Sequence, residues 1–199
     1  MEIKIPYNKN LQLPSAPCGK MEHFLWLQNG CRPESGFYLC YNEQALKIRL
    51  FSKEYPRFIK AERDDDAVWE DHCLEFFFAP FGKEEPYINF ECNPNGHMII
   101  AFGKDRYHRL VLTQSLKPSL HLQTAIHADS WEIEYTIPFD ALAPLYGKAF
   151  IPEKGREFAF NAYVCGDLAE PPRYGVWSEI DLPAPDFHCP RFFGKGVLD

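Results

Sequence analysis

The sequence predicts an all-β protein, an antiparallel β-sandwich of jelly-roll-like character with at most one short helix, and three observations carry that reading. About ten short apolar runs alternate with period two, so that residues i, i+2 and i+4 share one face. Turn-forming residues separate the runs at fairly regular intervals, the pattern expected of an all-β sandwich. The 17 prolines and 16% aromatic residues suit strands and structured loops better than helices. With 199 residues and no internal repeat, low-complexity segment or linker, the chain reads as one domain, 1–199. A domain of this size buries roughly 70% of its unfolded surface.

Taken in order, Ile3 and Ile5 alternate with Glu2 and Lys4 in a short strand stopped by Pro6, and residues 8–20 form a Pro- and Gly-punctuated loop. Glu22–Gln28 reads as a strand ended by Asn29-Gly30. Phe37–Tyr41 and Ala45–Phe51 flank the polar turn Asn42-Glu43-Gln44 as a hairpin. Residues 52–68 are charged and read as a long surface loop leading to Trp69. Cys73–Phe78, Tyr87–Asn93 and His97–Phe102 form a meander, with Pro94-Asn95-Gly96 as a strong turn. Leu120–Ala128 and Trp131–Ile137 follow. In the second of these, Trp131, Ile133, Tyr135 and Ile137 face inward, and Glu132, Glu134 and Thr136 face outward. Pro138–Pro144 is the single expected helix, opened by proline. Glu157–Cys165, Tyr174–Glu179 and Phe192–Leu198 complete the set.

A net charge of −7 and the absence of a Lys/Arg run longer than a pair argue against a nucleic-acid partner. No apolar run approaches the roughly 20 residues of a membrane span, and Met1-Glu-Ile-Lys-Ile-Pro6 lacks the pattern of a signal peptide. Seven scattered cysteines show neither Cys-x-x-Cys nor zinc-type spacing, so reduced thiols are expected. The expectation is a cytoplasmic protein, or a secreted one if a leader has been removed.

The stretch Ala67–Pro80 carries the functional reading. Glu75 interrupts an apolar run and points to the face opposite Leu74 and Phe76, so its charge must meet water or a ligand. Trp69 places a broad ring at the mouth of the same strand. A pyranose offers C–H faces to an aromatic ring and paired hydroxyls to a carboxylate, which fits this combination. On the residues alone, Trp69 is either such a platform or an anchor folded over the sandwich edge.

The segment Trp69–Phe77, with Phe90–Gly96, Trp131–Pro138, Phe158–Asn161, Trp177-Ser178 and Phe193–Leu198 in the same order, resembles family 9 carbohydrate-binding modules of the DOMON-like superfamily. The resemblance implies a sugar-binding β-sandwich in which two rings clamp a terminal sugar. Trp69 stands at one ring position, and Phe187 stands where the second is usually tryptophan; its alternative reading is a core plug. Glu75 and Asn93 match the hydroxyl-binding carboxylate and amide. Glu91 stands at a family arginine position and Tyr163 at a glutamine position, so specificity is altered. The implied partner is a neutral mono- or oligosaccharide, because an added carboxylate at Glu91 repels acidic sugars. No cofactor is required on this reading.

Calcium occurs in some members of the family, and Asp64, Asp65, Asp66, Glu70 and Asp71 could supply oxygens, though without EF-hand spacing. Haem occurs elsewhere in the superfamily, for which His97 and Met98 would be the candidates. A glycoside hydrolase-type enzyme of carbohydrate breakdown is the other alternative, but no catalytic residue is assigned. The pairs His72-Cys73 and His188-Cys189 are strand neighbours pointing to opposite faces, and no nucleophile, phosphate or zinc motif is present.

Overall fold

The computed structural model describes residues 1–199, which form fourteen strands and two one-turn helices. The strands are β1 (Glu2–Ile5), β2 (Gly19–Lys20), β3 (His23–Phe24), β4 (Ser35–Tyr41), β5 (Ala45–Ser52), β6 (Cys73–Ala79) and β7 (Tyr87–Cys92). They continue as β8 (Met98–Gly103), β9 (Arg109–Val111), β10 (Gln123–Ile126), β11 (Trp131–Pro138), β12 (Glu157–Gly166), β13 (Arg173–Val176) and β14 (Gly194–Leu198). The helices are α1 (Thr113–Leu116) and α2 (Ala143–Tyr146).

The smaller sheet runs β10-β11-β5-β4-β2. Its alternation is that of a half-wet sheet: along β11 every second residue from Trp131 to Ile137 is buried. On the wet face Glu134 accepts from Arg49 Nη2 at 2.6 Å and pairs with Lys47 at 2.7 Å across the β11–β5 ladder.

The larger sheet runs β1-β14-β12-β6-β7-β8-β9, with β13 and β3 extending from β12. It is antiparallel except where β1 adds parallel to β14. The meander β6-β7-β8 lies at its centre. The inner faces of the two sheets form one core, where Phe37 meets Phe160 edge-on at 5.7 Å and Phe90 meets Tyr135 at 5.6 Å. Trp177 stacks on Phe160 at 4.3 Å.

Three sequence expectations are corrected. Glu22–Gln28 pairs only over His23–Phe24, because Trp26 adopts a left-handed φ of 65° and leaves the ladder. Trp26 is half-buried on the outer face of the larger sheet, outside the main core, and its Nε1 donates to the Leu182 carbonyl at 2.7 Å. Two one-turn helices replace the expected one: Phe139–Leu142 forms a 3-10 turn that continues into α2, while α1 lies in a segment with no helical signal. The short edge strands β2 and β9 also went unsignalled, since two or three residues are too few to show a period.

The outer face of the larger sheet is covered as well. Every residue of β6 is buried: Leu74, Phe76 and Phe78 face the main core, whereas Phe77 and Ala79 join a second cluster with Tyr87, Tyr163 and Phe193. The segment around 180–193 and the loop before β6 form this cover.

Phe160→Ala removes a ring that touches Phe37, Phe76 and Trp177. It is expected to cost roughly 3–5 kcal/mol in urea denaturation. Glu132→Ala on the wet face, whose contact with Arg49 is 4.0 Å long, is expected to stay within about 0.5 kcal/mol.

Candidate functional site

Antiparallel pairing places Tyr163, Glu75 and Glu91 side by side across β12, β6 and β7 on the outer face. At the end of this sheet the cover is incomplete, and a cleft of about 200 Å³ opens over the two glutamates. Trp69, Arg106, Arg109, Cys165, Asp167, Tyr174 and the segment Pro185–His188 complete its lining.

The floor is acidic and almost dry. Glu75 is 2% exposed and Glu91 is 3% exposed. Cys165 Sγ donates to Glu75 Oε1 at 2.9 Å, and Asn89 Nδ2 donates to Glu91 Oε1 at 3.0 Å. Arg109 Nη1 lies 3.7 Å from Glu91 and donates to Asn89 Oδ1 at 3.0 Å. Burial, reinforced by Glu91, pushes the Glu75 carboxyl well above the usual range. Burial also raises Glu91, to about 7, against the pull of Arg109. Two neighbouring carboxyls in so little water cannot both be fully charged at neutral pH.

Trp69 lies in a 3-10 turn, Val68–Glu70, anchored by the fully buried Val68. The turn is pinned to the end of β12, where the amides of Asp167 and Leu168 donate to the Trp69 and Glu70 carbonyls at 3.1 Å. Trp69 itself is 37% exposed. Across the cleft Phe187 lies flat on Tyr163, with centroids 4.2 Å apart and planes at 10°. Tyr163 Oη donates to the Phe187 carbonyl at 3.1 Å. His188 Nδ1 lies 2.8 Å from Tyr87 Oη, and burial together with Arg109 lowers the imidazole to about 2, so it is neutral.

Of the six sequence candidates, Trp69, Glu75, Glu91 and Phe187 line the cleft. Tyr163 lies fully buried beneath Phe187. Asn93 lies away from the lining and closes the β7–β8 turn: its Oδ1 accepts from the Asn95 and His97 amides, and its Nδ2 donates to Asp71. Arg106, Arg109, Asp167 and Asp186 were not singled out in the sequence, where they occur in polar segments without period; Tyr174 was read only as the start of a strand and His188 only as half of a His–Cys pair.

The acidic loop is engaged internally. Asp64 receives Lys117 Nζ at 2.5 Å and the Met98 amide at 2.9 Å, and Lys117 also donates to the Gly96 carbonyl at 2.8 Å. Asp65 bonds Thr113, Asp66 bonds Arg63, Glu70 pairs with Lys60, and Asp71 accepts from the Lys60 and Ala61 amides and Asn93. One grouping has donor types for a soft metal: Cys73 Sγ, Cys165 Sγ and a Glu75 oxygen lie within 4.8 Å of one another. Burial pushes both thiols up, Cys73 to about 12, so a metal must first displace protons. Met98 is fully buried in the main core, with His97 in the preceding turn. His72 contacts Arg173 and Glu54, and Cys189 bonds Asp186, so neither local His–Cys pair forms a dyad.

The cleft is aromatic-walled and acid-floored and lies on one face of a β-sandwich. The chain belongs to carbohydrate-binding family 9, whose sequence profile matches residues 8–198. The fold is similar to that of a Bacteroides uniformis protein thought to bind carbohydrate, with TM-score 0.84, 24% identity, and 100% of this chain and 99% of that one covered. It is also similar to a family 9 module from Caldicellulosiruptor kristjanssonii. In its glucose complex that module has TM-score 0.66 and 12% identity, over 100% of this chain and 96% of that one. Its cellotriose complex gives TM-score 0.63 and 12% identity, over 100% and 93%. No curated protein matches the chain.

The raised carboxyls set the sign of a pH effect. Between the ordinary carboxylate range and about pH 7 the folded chain holds protons that the unfolded chain has lost, so stability falls as pH rises through that window. Glu91→Gln is expected to flatten the fall between pH 4.5 and about 7 and to be more stable than wild type at pH 7. Denaturant titrations at pH 4.5, 6 and 7.5 measure both.

Proposed function

We propose that the cleft binds a small sugar non-catalytically, one or two units long, between the rings of Trp69 and Phe187 and over the carboxyls of Glu75 and Glu91. The observation that carries this is the coincidence of an exposed indole with two buried acids in one cleft of about 200 Å³. That space fits a monosaccharide better than a polymer chain lying along a surface. The indole packs on a C–H face while the floor oxygens accept from ring hydroxyls. Neutral sugars are accommodated; a uronic acid meets carboxyls in the floor and at the rim. Tyr163 acts by holding Phe187 flat.

Hydrolysis is the weaker reading despite the paired acids. A glycosidase places its two carboxyls on opposite sides of the scissile bond. Glu75 and Glu91 are direct cross-strand neighbours on one floor and so approach a ligand from the same side. No ion is needed for binding on this reading, because Lys117 supplies a cation to the acidic loop from within the chain.

Calorimetric titration with glucose, cellobiose, other neutral monosaccharides and glucuronic acid tests the reading. Trp69→Ala is expected to keep the wild-type melting temperature within a few degrees and to weaken binding at least tenfold, about 1.4 kcal/mol. A loss of roughly 3–5 kcal/mol of stability would instead identify Trp69 as a structural anchor. Millimolar Ca²⁺ is expected to leave the wild-type melting temperature unchanged, while Lys117→Met should lower stability by about 1–3 kcal/mol by stranding Asp64. A clear Ca²⁺-induced rise in the wild type would show an ion site in the loop.

A further inference from the structure

The cleft contains more carboxyl than cation. Glu75, Glu91, Asp167 and Asp186 line it against Arg106 and Arg109. Arg109 is engaged by Asn89 and Glu91. Arg106 lies in an exposed turn, where water screens it. Glu75 is the deepest of the acids and the least compensated: it is 2% exposed, and its hydrogen-bond donor is the Cys165 thiol at 2.9 Å. The neighbouring imidazole of His188 is neutral and adds no charge.

A carboxyl in such a site keeps its proton because ionising it away from water, without a cation, is costly. A hydroxyl of a neutral sugar leaves that balance unchanged. A ligand ammonium alters it, since it brings three N–H donors and a full charge to an acceptor whose bonds to charged donors are about twice as strong as to neutral ones. We propose that this cleft prefers a sugar bearing a free amine to the neutral parent sugar, with the amine seated on Glu75 beneath Trp69. The inference rests on the sugar-binding reading and narrows its ligand class.

The proton balance is explicit. The protonated Glu75 carboxyl loses its proton to solvent, and the carboxylate left behind pairs with the ligand's ammonium. No covalent bond to the sugar changes. The groups that face Glu75 are Cys73 on β6, Glu91 on β7, Arg109 on β9, Tyr163 and Cys165 on β12, and Asp167 beyond it. Burial holds the two thiols and the phenol protonated, so Glu91, raised to about 7, is the neighbouring acid that changes charge near neutrality. Amine binding is therefore expected to release about one proton and to tighten from pH 5.5 to 7.

Calorimetry on the intact chain compares glucosamine with glucose, galactosamine with galactose, and each amine with its N-acetyl form, in two buffers of different ionisation enthalpy. The expected result is at least tenfold tighter binding of one free amine than of its parent, loss of that advantage on acetylation, and buffer-dependent heat showing proton release. Glu75→Gln is expected to bring the amine-to-parent ratio near one. Tighter binding of the neutral parent overturns the inference and leaves the sugar-binding reading intact. An amine preference without proton release, or one that survives Glu75→Gln, also overturns it, because the amine then sits elsewhere. Silence from every sugar on the panel, neutral or amine, removes the sugar-binding reading itself.

Discussion

Strand β6 is buried along its whole length, with Leu74, Phe76 and Phe78 against one layer and Cys73, Glu75, Phe77 and Ala79 against another. A central strand can tolerate an acid only where its carboxyl reaches water, a partner or a ligand, since an isolated buried charge is not stable. Glu75 has a thiol donor and a neighbouring acid in place of a cation, and burial accordingly raises its carboxyl well above the usual range. The cover over the outer face is complete above Phe77 and Tyr87 and opens above Glu75 and Glu91.

The walls of the opening are held in different ways. Trp69 is displayed by a short turn whose neighbour Val68 is buried and whose carbonyls are tied to the end of β12, so its backbone is fixed while its ring stays at the surface. Phe187 is held by its face, stacked on Tyr163 and tied through its carbonyl to the same phenol. A ring clamped in this way has little conformational freedom left to lose. Residue types that could bind sugar or metal elsewhere are used here to shape loops. Asn93 closes a turn, Asp71 receives three donors, and Asp64 is bridged by Lys117 to the β7–β8 turn.

The two-sheet architecture, the β6-β7-β8 meander and the inward face of β11 were legible in the sequence because period-two alternation is a local signal that survives wherever one face is wet. Trp131 and Ile133 could be assigned to the core from their neighbours alone. Glu75 stood out for the same reason, as one acid in an apolar run. The early end of the Glu22–Gln28 strand at Trp26 was not legible, since a left-handed φ at a tryptophan leaves no compositional trace. Neither were β2, β9 and α1, which are too short to show a period.

The sequence by itself determined which residues can lie on a buried face, and it marked Trp69 and Glu75 as unusual on theirs. Only the tertiary structure decided that Glu91 and Tyr163 flank Glu75 in one row. That row depends on the hydrogen-bond register of β6 with β7 and with the distant β12, and a slip of one residue would send each side chain to the other face. It also decided that Phe187, more than a hundred residues after Trp69, lines the same cleft, and that Asn93 turns away into a loop. Arg106, Arg109 and Asp186 became visible only there. In sequence they are ordinary polar residues, and what sets them apart is that β9 and the cover segment converge on one end of the larger sheet.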